Sequence, residues 1–252
     1  MQRSVLEYLE NSARKFPDKT VFADEEHEIS YQEFQNQTKA VGTGLARDYN
    51  VGRNQPVAVF IERNIECLIS FFGIVYSGNF YVPVDAAMPV QRIGRIFDTL
   101  KPAAVIVSER TKKVMDQMDY DGHILNLEEL KAVQADQEIL DQITRKRIDT
   151  DPLYAIFTSG STGMPKGVLV GHQSVIDLID HFQREFGFDE TLRLGNQAPF
   201  DFDVSVKDIY STLKNGGTMH VIPKVMFSMP KKLIECLNRH EINTVIWATS
   251  AL

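Results

Sequence analysis

Cysteine and blocks of positive charge are scarce in this sequence, and this scarcity limits the kinds of site and partner that can be expected. Only two cysteines occur, Cys67 and Cys236, and neither has histidine or cysteine neighbours at ligand spacing. A disulfide framework is therefore excluded, a zinc site is not expected, and both thiols are expected to be buried. The formal net charge of −7 is spread along the chain without a run of Lys and Arg, so nucleic acid is not an expected partner.

Long hydrophobic runs are also missing. The most apolar stretch, Cys67–Tyr76, is far shorter than the roughly 20 residues that cross a bilayer. The N-terminal residues lack the apolar centre of a signal peptide, so we expect a cytoplasmic protein without a membrane partner. Hydrophobic residues make up 43% and charged residues 24% of the chain, which is typical of a globular protein.

Strand and helix patterns alternate along most of the chain. Pro56–Ile61 is short and apolar on both faces, as in a buried strand, and Ile65–Tyr76 is apolar almost all round, as in a buried helix. Ser30 and Glu33 form a capping box that opens another helix. Similar patterns recur up to a strand at Thr244–Trp247, and the polar segment Asp136–Asp151 is predicted to be a connection. The alternation predicts an α/β protein with largely parallel sheets.

The segment from Thr158 to Gly167 directly follows a predicted strand and carries the main functional signal. Its glycines allow tight turns and close approach to a ligand, its hydroxyls and backbone N–H groups suit phosphate oxygens, and its lysine supplies a positive charge. The predicted phosphate-binding residues are Thr158, Ser159, Gly160, Ser161, Thr162, Gly163 and Lys166.

Three other interpretations of this loop fit its residues less well. A flexible surface loop would not need Lys166 between a proline and a glycine. The NTPase pattern G-x-x-x-x-G-K-[ST], counted from Gly160, requires glycine where Pro165 stands and a hydroxyl residue where Gly167 stands. The dinucleotide pattern G-x-G-x-x-G does not occur. The loop therefore belongs to a different kind of nucleotide site.

This loop, preceded by Tyr154-Ala155-Ile156-Phe157, resembles the signature of the acyl-adenylate-forming superfamily, which includes acyl-CoA synthetases and amino-acid adenylation domains of peptide synthetases. Three further segments resemble core motifs of that family in the same order: Ile29–Phe34, Ser77–Asp85 and Phe202–Ser205. Ala86 departs from the pattern, because a proline usually follows the aspartate there. The resemblance covers nearly the whole chain.

The resemblance implies a particular fold and extent. It predicts two stacked, mostly parallel sheets with flanking helices, in which residues of about 1–65 and 195–252 share one α/β layer and residues of about 66–194 form the other. The chain would be a truncated N-terminal part of the adenylation domain. The family's β-barrel subdomain and its C-terminal lid domain would be absent, so the fragment would be inactive alone.

The resemblance also predicts an amino acid as the substrate. Asp203 matches the residue that holds the α-ammonium group in amino-acid-activating members, and an aspartate among apolar neighbours is costly to bury without a cation. Val204, Lys207 and Trp247 match pocket-lining positions, although Lys207 is equally compatible with solvent exposure and Trp247 with the core. Capping of the next helix is the structural alternative for Asp203, and Asp201 is the alternative anchor for the amine.

The implied reaction joins a carboxylic acid to AMP at the expense of ATP, with Mg²⁺ bridging the phosphates. Lys166 and Thr158 are the predicted catalytic residues, and the product would pass to the phosphopantetheine arm of a carrier protein. His172 is predicted either to lie near the phosphates or to cap a helix. An acyl or aryl ligase of the same superfamily, or a non-catalytic binding module, is the alternative.

Overall fold

The computed structural model describes residues 2–60, 62–159 and 165–247. The helices are α1 (Leu6–Lys15), α2 (Tyr31–Thr43), α3 (Ile65–Tyr76), α4 (Val90–Leu100), α5 (Lys112–Met115), α6 (Leu127–Lys131), α7 (Gln137–Lys146), α8 (His172–Phe186), α9 (Ser205–Asn215) and α10 (Pro230–Arg239). The strands are β1 (Thr20–Ala23), β2 (Glu28–Ser30), β3 (Pro56–Phe60), β4 (Phe80–Pro83), β5 (Ala104–Val107), β6 (His123–Asn126), β7 (Pro152–Ser159), β8 (Pro165–Gly171), β9 (Arg193–Asn196) and β10 (Thr218–Val221). A π-helical turn, Gly44–Asp48, extends α2, and a 3-10 turn, Lys224–Ser228, precedes α10.

The chain forms two compact units, and each contains one mixed sheet. Residues 36–173 form the first unit, and residues 4–35 together with those from 174 onward form the second. The first sheet has the strand order β6-β5-β3-β4-β7-β8, and the second has the order β2-β1-β10-β9. This arrangement differs from the expected layers at β3, which pairs in parallel with β4 and β5 and so lies outside the sheet that contains β1.

The six-stranded sheet is parallel except for its edge strand β8, which runs antiparallel to β7. Apolar side chains of β3, β4 and β5 pack against α4, with Phe60, Val82 and Ile93 fully buried. Helix α3 is buried along its whole length except at Glu66, as its apolar composition predicts. Asn64 caps this helix by accepting a hydrogen bond from the Cys67 N–H group at 3.2 Å.

The four-stranded sheet is parallel except at β2, which pairs antiparallel with β1. Helices α1 and α9 pack together in this unit, and the Ser12 hydroxyl donates to the Leu213 carbonyl at 2.6 Å. The Glu33 N–H group donates to the Ser30 hydroxyl at 3.2 Å, which confirms Ser30 as the N-cap of α2. Mostly parallel α/β sheets with flanking helices are therefore confirmed within each unit.

Two sequence-based assignments were wrong in part. The expected connection Asp136–Asp151 contains helix α7, because the Asp136 carboxylate accepts from the N–H groups of Glu138 and Ile139 and Leu140 is buried. The expected strand Thr244–Trp247 is reduced to one parallel bridge between Leu194 and Thr244. Both cysteines are buried and free, as predicted. No helix within the described part of the chain combines the length and the apolar character needed to cross a bilayer.

Candidate functional site

The predicted phosphate loop is the segment that joins β7 to β8. Thr158 near the end of β7 and Lys166 near the start of β8 are direct partners in the antiparallel register. Side chains of such partners project from the same face with their Cβ atoms about 5 Å apart. Both residues are exposed. The hairpin therefore brings together, at the mouth of the loop, the two residues predicted to be catalytic.

The remaining predicted phosphate-binding residues lie between Thr158 and Lys166 in the sequence. Gly160, Ser161, Thr162 and Gly163 lie outside the described residues, and for Ser159 the structure describes the strand backbone alone. Their assignment to phosphate binding stays a prediction.

Gly167 packs closely against its partner across the hairpin. It lies opposite Phe157 in the register, and a Cβ atom on Gly167 would be 3.1 Å from the Phe157 ring. Any side chain there would push against the ring and disturb the strand pairing one residue from Lys166. The contact with Phe157 gives Gly167 a role in packing the two strands.

A polar cluster fixes the other end of the hairpin. The Asp151 carboxylate accepts from Arg53 Nη2 at 2.5 Å, from Asn54 Nδ2 at 3.3 Å and from the Ile148 N–H group at 3.0 Å. Burial alone would raise the pKa of Asp151, but these hydrogen bonds and the Arg53 charge lower it overall. The carboxylate therefore stays ionised and ties the start of β7 to the residues before β3.

His172 belongs to this second end of the hairpin and not to the phosphate loop. It is the first residue of α8, its side chain is buried, and its N–H group donates to the Asp151 carbonyl at 3.1 Å. The length of β7 separates it from Thr158 by roughly 20 Å, at about 3.3 Å per residue. Burial, assisted by the charge of Arg147, lowers the pKa of His172 to about 3, so the ring is neutral at pH 7. His172 therefore lies at the end of the hairpin opposite Thr158 and Lys166, and no contact of the described residues supports a place for it near the phosphates.

The predicted amine anchor lies in the turns that lead into α9. Asp203 is exposed, so the expectation of a carboxylate surrounded by apolar groups is not met in the structure. Capping does not explain it either, since α9 has no side-chain cap and Asp203 takes part through its carbonyl, which accepts from the Val206 N–H group at 3.1 Å. Its neighbours Phe202 and Val204 are 55% and 40% exposed. The Asp203 carboxylate is accordingly accessible to a ligand.

Two other predicted pocket residues are held by aromatic and polar contacts. Lys207 is half-buried, and its ammonium lies 5.9 Å from the centre of the Phe182 ring, a cation–π contact. Trp247 Nε1 donates to the Gly195 carbonyl at 2.7 Å, and the indole packs edge-on against Phe227. Lys207 is thus not simply exposed to solvent, and Trp247 is not completely buried in the core.

The buried polar pair formed by Asn196 and Asp208 was not predicted from the sequence. Asn196, the last residue of β9, donates through Nδ2 to Asp208 Oδ2 of α9 at 2.8 Å, and both side chains are fully buried. The spacing of apolar residues in α9 identified its buried face, and Asp208 is buried together with that face. The signal available in the sequence was an acidic residue between the apolar positions Val206 and Ile209.

Curated proteins of similar sequence include carrier-protein ligases. The chain is 34% identical over 236 residues to a D-alanine–D-alanyl carrier protein ligase of Listeria welshimeri, covering 92% of this chain and 46% of the relative. It is 31% identical over 249 residues to the ligase of the same name from Bacillus velezensis, covering 98% and 48%. The chain thus spans about half the length of the curated relatives it matches.

Solved structures of similar fold include a nonribosomal peptide synthetase, FmoA3. One of its crystal structures superposes with a TM-score of 0.82 at 26% identity, covering 95% of this chain and 25% of that protein. The form bound to alpha-methyl-L-serine-AMP gives a TM-score of 0.83 at 25% identity, with coverages of 95% and 26%. These matches confirm the predicted fold of the N-terminal part of an adenylate-forming domain.

The family model described as AMP-binding enzyme matches residues 9–252, almost the entire chain. This match includes every segment on which the resemblance was based. The chain belongs to the family of AMP-binding enzymes.

Proposed function

We propose that this chain contributes the nucleotide loop and the amino-acid anchor of an enzyme that activates an amino acid as its aminoacyl-adenylate. The observation that carries the proposal is the pairing of Thr158 with Lys166 at the mouth of the loop in a chain of the AMP-binding family. Activity would require the segments that the longer relatives possess outside the matched part, so we expect none from residues 1–252 alone.

In the proposed reaction an oxygen of the substrate carboxylate attacks the α-phosphorus of ATP. A bond forms between that oxygen and phosphorus, the bond to the β-phosphate oxygen breaks, and pyrophosphate leaves. Two anions must approach each other, so neutralising charge and fixing positions matter more than a general base. Lys166 would neutralise the β- and γ-phosphates, and the Thr158 hydroxyl would donate to a phosphate oxygen.

Mg²⁺ would accompany ATP as part of the nucleotide substrate. The described residues on either side of the loop present a hydroxyl and an ammonium rather than carboxylates, so they suit the phosphates and not the ion itself. Mg²⁺ would supply further neutralisation of the phosphate charge.

Asp203 would hold the α-ammonium of the amino acid, and Val204, Lys207 and Trp247 would line the pocket for its side chain. The exposure of the Asp203 carboxylate supports this assignment, since a ligand can reach it without movement of the chain. D-alanine is the first substrate to test, because the relatives at 31–34% identity are named for it. The acceptor would be the phosphopantetheine thiol of a carrier protein, and the cytoplasm supplies both ATP and such carriers.

Amino-acid-dependent exchange of pyrophosphate into ATP tests the proposal. The assay is run on the complete product of the gene and on the 252-residue chain, with D-alanine, L-alanine and a panel of other amino acids. Lys166→Ala should lower the exchange rate by about 100-fold or more, as loss of a transition-state charge partner does. Lys113→Ala removes another exposed lysine of the same unit and is the matched control. Equal rates for both variants would refute the role of Lys166.

A second pair of variants separates an amino-acid ligase from the alternatives. Asp203→Asn should raise the KM for the amino acid by about tenfold or more and leave the KM for ATP nearly unchanged, whereas Asp201→Asn should change neither. The opposite result would make Asp201 the anchor. Equal use of des-amino acids by the parent would indicate an acyl or aryl ligase, and no exchange with any acid would favour a binding module.

A further inference from the structure

The last two residues of β9 hold the two parts of the proposed amino-acid pocket. The Gly195 carbonyl accepts from Trp247 Nε1 at 2.7 Å, and the Asn196 amide donates to Asp208 of α9 at 2.8 Å. Both residues lie at the carboxyl end of a strand that runs parallel to β10. In open α/β sheets this edge is where ligands bind.

The hydrogen bond between Asn196 and Asp208 is expected to add little to the free energy of unfolding. Both side chains are completely buried, and Val206 and Ile209 beside Asp208 are buried as well. Burying a carboxylate and an amide costs free energy, and apolar replacements of such groups are often neutral or stabilising. A buried polar pair does, however, define one geometry, because a shifted helix would break its bond.

The geometry that this pair defines is that of the turn carrying Asp203. The N-cap residue of α9, Val204, makes no side-chain hydrogen bond, and the Ser205 hydroxyl donates to the Phe202 carbonyl at 2.7 Å. Main-chain bonds join the Ser205 N–H group to the Phe202 carbonyl and the Val206 N–H group to the Asp203 carbonyl. The preceding turn therefore moves with α9, and α9 is attached to β9 through Asp208.

We propose that Asn196 and Asp208 are positioning residues that set the location of Asp203 relative to Trp247. This inference rests on the proposed function, since it concerns the same amino-acid pocket. Neither residue needs to touch the substrate. Their contribution is to hold the Asp203 carboxylate and the Trp247 indole at a fixed spacing near the end of one strand. Loss of the hydrogen bond between Asn196 and Asp208 should therefore weaken binding of the amino acid and leave binding of the nucleotide unchanged.

An exchange of donor and acceptor tests the pair. Asn196→Asp places two carboxylates face to face and should raise the KM for the preferred amino acid of the panel by about tenfold or more, with little change in the KM for ATP. The double variant Asn196→Asp/Asp208→Asn restores one amide facing one carboxylate with the roles reversed. We expect it to bring the KM back to within about threefold of the parent.

Binding provides a readout that is independent of turnover. Isothermal titration calorimetry follows binding of the preferred amino acid to the complete product of the gene in the presence of α,β-methylene-ATP, whose bond between the α- and β-phosphorus the reaction cannot break. The affinity should fall in Asn196→Asp and return in the double variant. If Asn196→Asp does not fold, Asp208→Ala, which loses the bond, is compared with Asp208→Asn, which can keep it by rotation of an amide.

The outcomes distinguish this inference from the proposed function. A parent without amino-acid-dependent exchange would refute the proposed function. An active parent whose folded Asn196→Asp variant loses affinity for ATP and amino acid alike, or is not rescued by the second substitution, would refute the positioning role alone. Unchanged KM values in the folded single variant would refute it as well.

Discussion

Substitution of Gly73 by alanine tests the packing of α2 against α3, on which the first unit depends. A Cβ atom on Gly73 would lie 2.5 Å from Val41 Cβ and 3.3 Å from the Thr38 carbonyl oxygen. Carbon atoms in contact are normally 3.5–4.0 Å apart. The reciprocal position is equally tight, since a Cβ atom on Gly42 would lie 2.6 Å from Tyr76 Cβ. The two helices are thus as close as glycine permits.

The expected cost follows from what can move. Val41 is completely buried, and a β-branched side chain in a helix has essentially one rotamer, so the clash cannot be relieved by rotation. The Cβ of Val41 is fixed by the backbone, and the helices themselves must separate. Overpacking of this kind costs about 1–3 kcal/mol, while alanine gains about 1 kcal/mol over glycine in a helix. With the cost at the upper end, Gly73→Ala should lower the free energy of unfolding by about 2 kcal/mol.

Urea denaturation at pH 7.5, followed by circular dichroism, measures this difference. Gly94→Ala is the matched control, because Gly94 lies within α4 and a Cβ atom there would meet nothing within 4 Å. The control should raise the free energy of unfolding by about 0.5–1 kcal/mol. If Gly73→Ala were as stable as the parent, or were stabilised like the control, the close approach of α2 and α3 would be refuted.

Two further predictions concern the polar end of the hairpin. Asp151→Asn should lower the free energy of unfolding by about 1–2 kcal/mol, because a nearly buried carboxylate that accepts from Arg53 is lost. The control Asp48→Asn breaks the exposed ion pair with Arg47 and should have no measurable effect in the same urea titration. His172 has a pKa of about 3 in the folded chain against about 6.5 when unfolded, so below pH 6.5 the unfolded chain takes up a proton that the folded chain does not. The titration of His172 should therefore lower the free energy of unfolding by about 2 kcal/mol between pH 7.5 and pH 5. A Gln variant at this position should lose that part of the pH dependence in the same urea titration. Parallel curves of the free energy of unfolding against pH for parent and variant would contradict the burial of His172.

Helix α3 shows where sequence patterns suffice. Its predicted bounds, Ile65 and Tyr76, coincide with those of the structure. Each of its determinants is local: an uninterrupted apolar sequence, a capping side chain at Asn64, and Gly78 with a φ of 79° two residues after its end. Signals contained within one or two turns need no knowledge of the rest of the chain.

Helix α7 shows how the same kind of signal can be overlooked. Its segment is mostly polar and was assigned to a connection, yet Asp136 supplies an N-cap and Ile139, Leu140 and Ile143 recur at helical spacing. One apolar face is enough for a surface helix. The polar composition of the segment favoured a connection, whereas the spacing of its few apolar residues indicates a helix with one buried face.

The surroundings of Asp203 and Asp208 could not be obtained from the sequence, and both failures have the same physical origin. Apolar neighbours along the chain suggested a buried Asp203, but side chains in consecutive turns do not follow a strand or helix period, and Asp203 is exposed. Asp208 lies among apolar residues of a regular helix and is fully buried, because Asn196 of a neighbouring strand offers it a donor. Whether an acidic side chain is buried depends on what the fold brings opposite to it, and that partner is twelve residues away in the sequence. The same dependence makes the exchange of Asn196 and Asp208 informative, since it alters two residues while keeping the bond between β9 and α9.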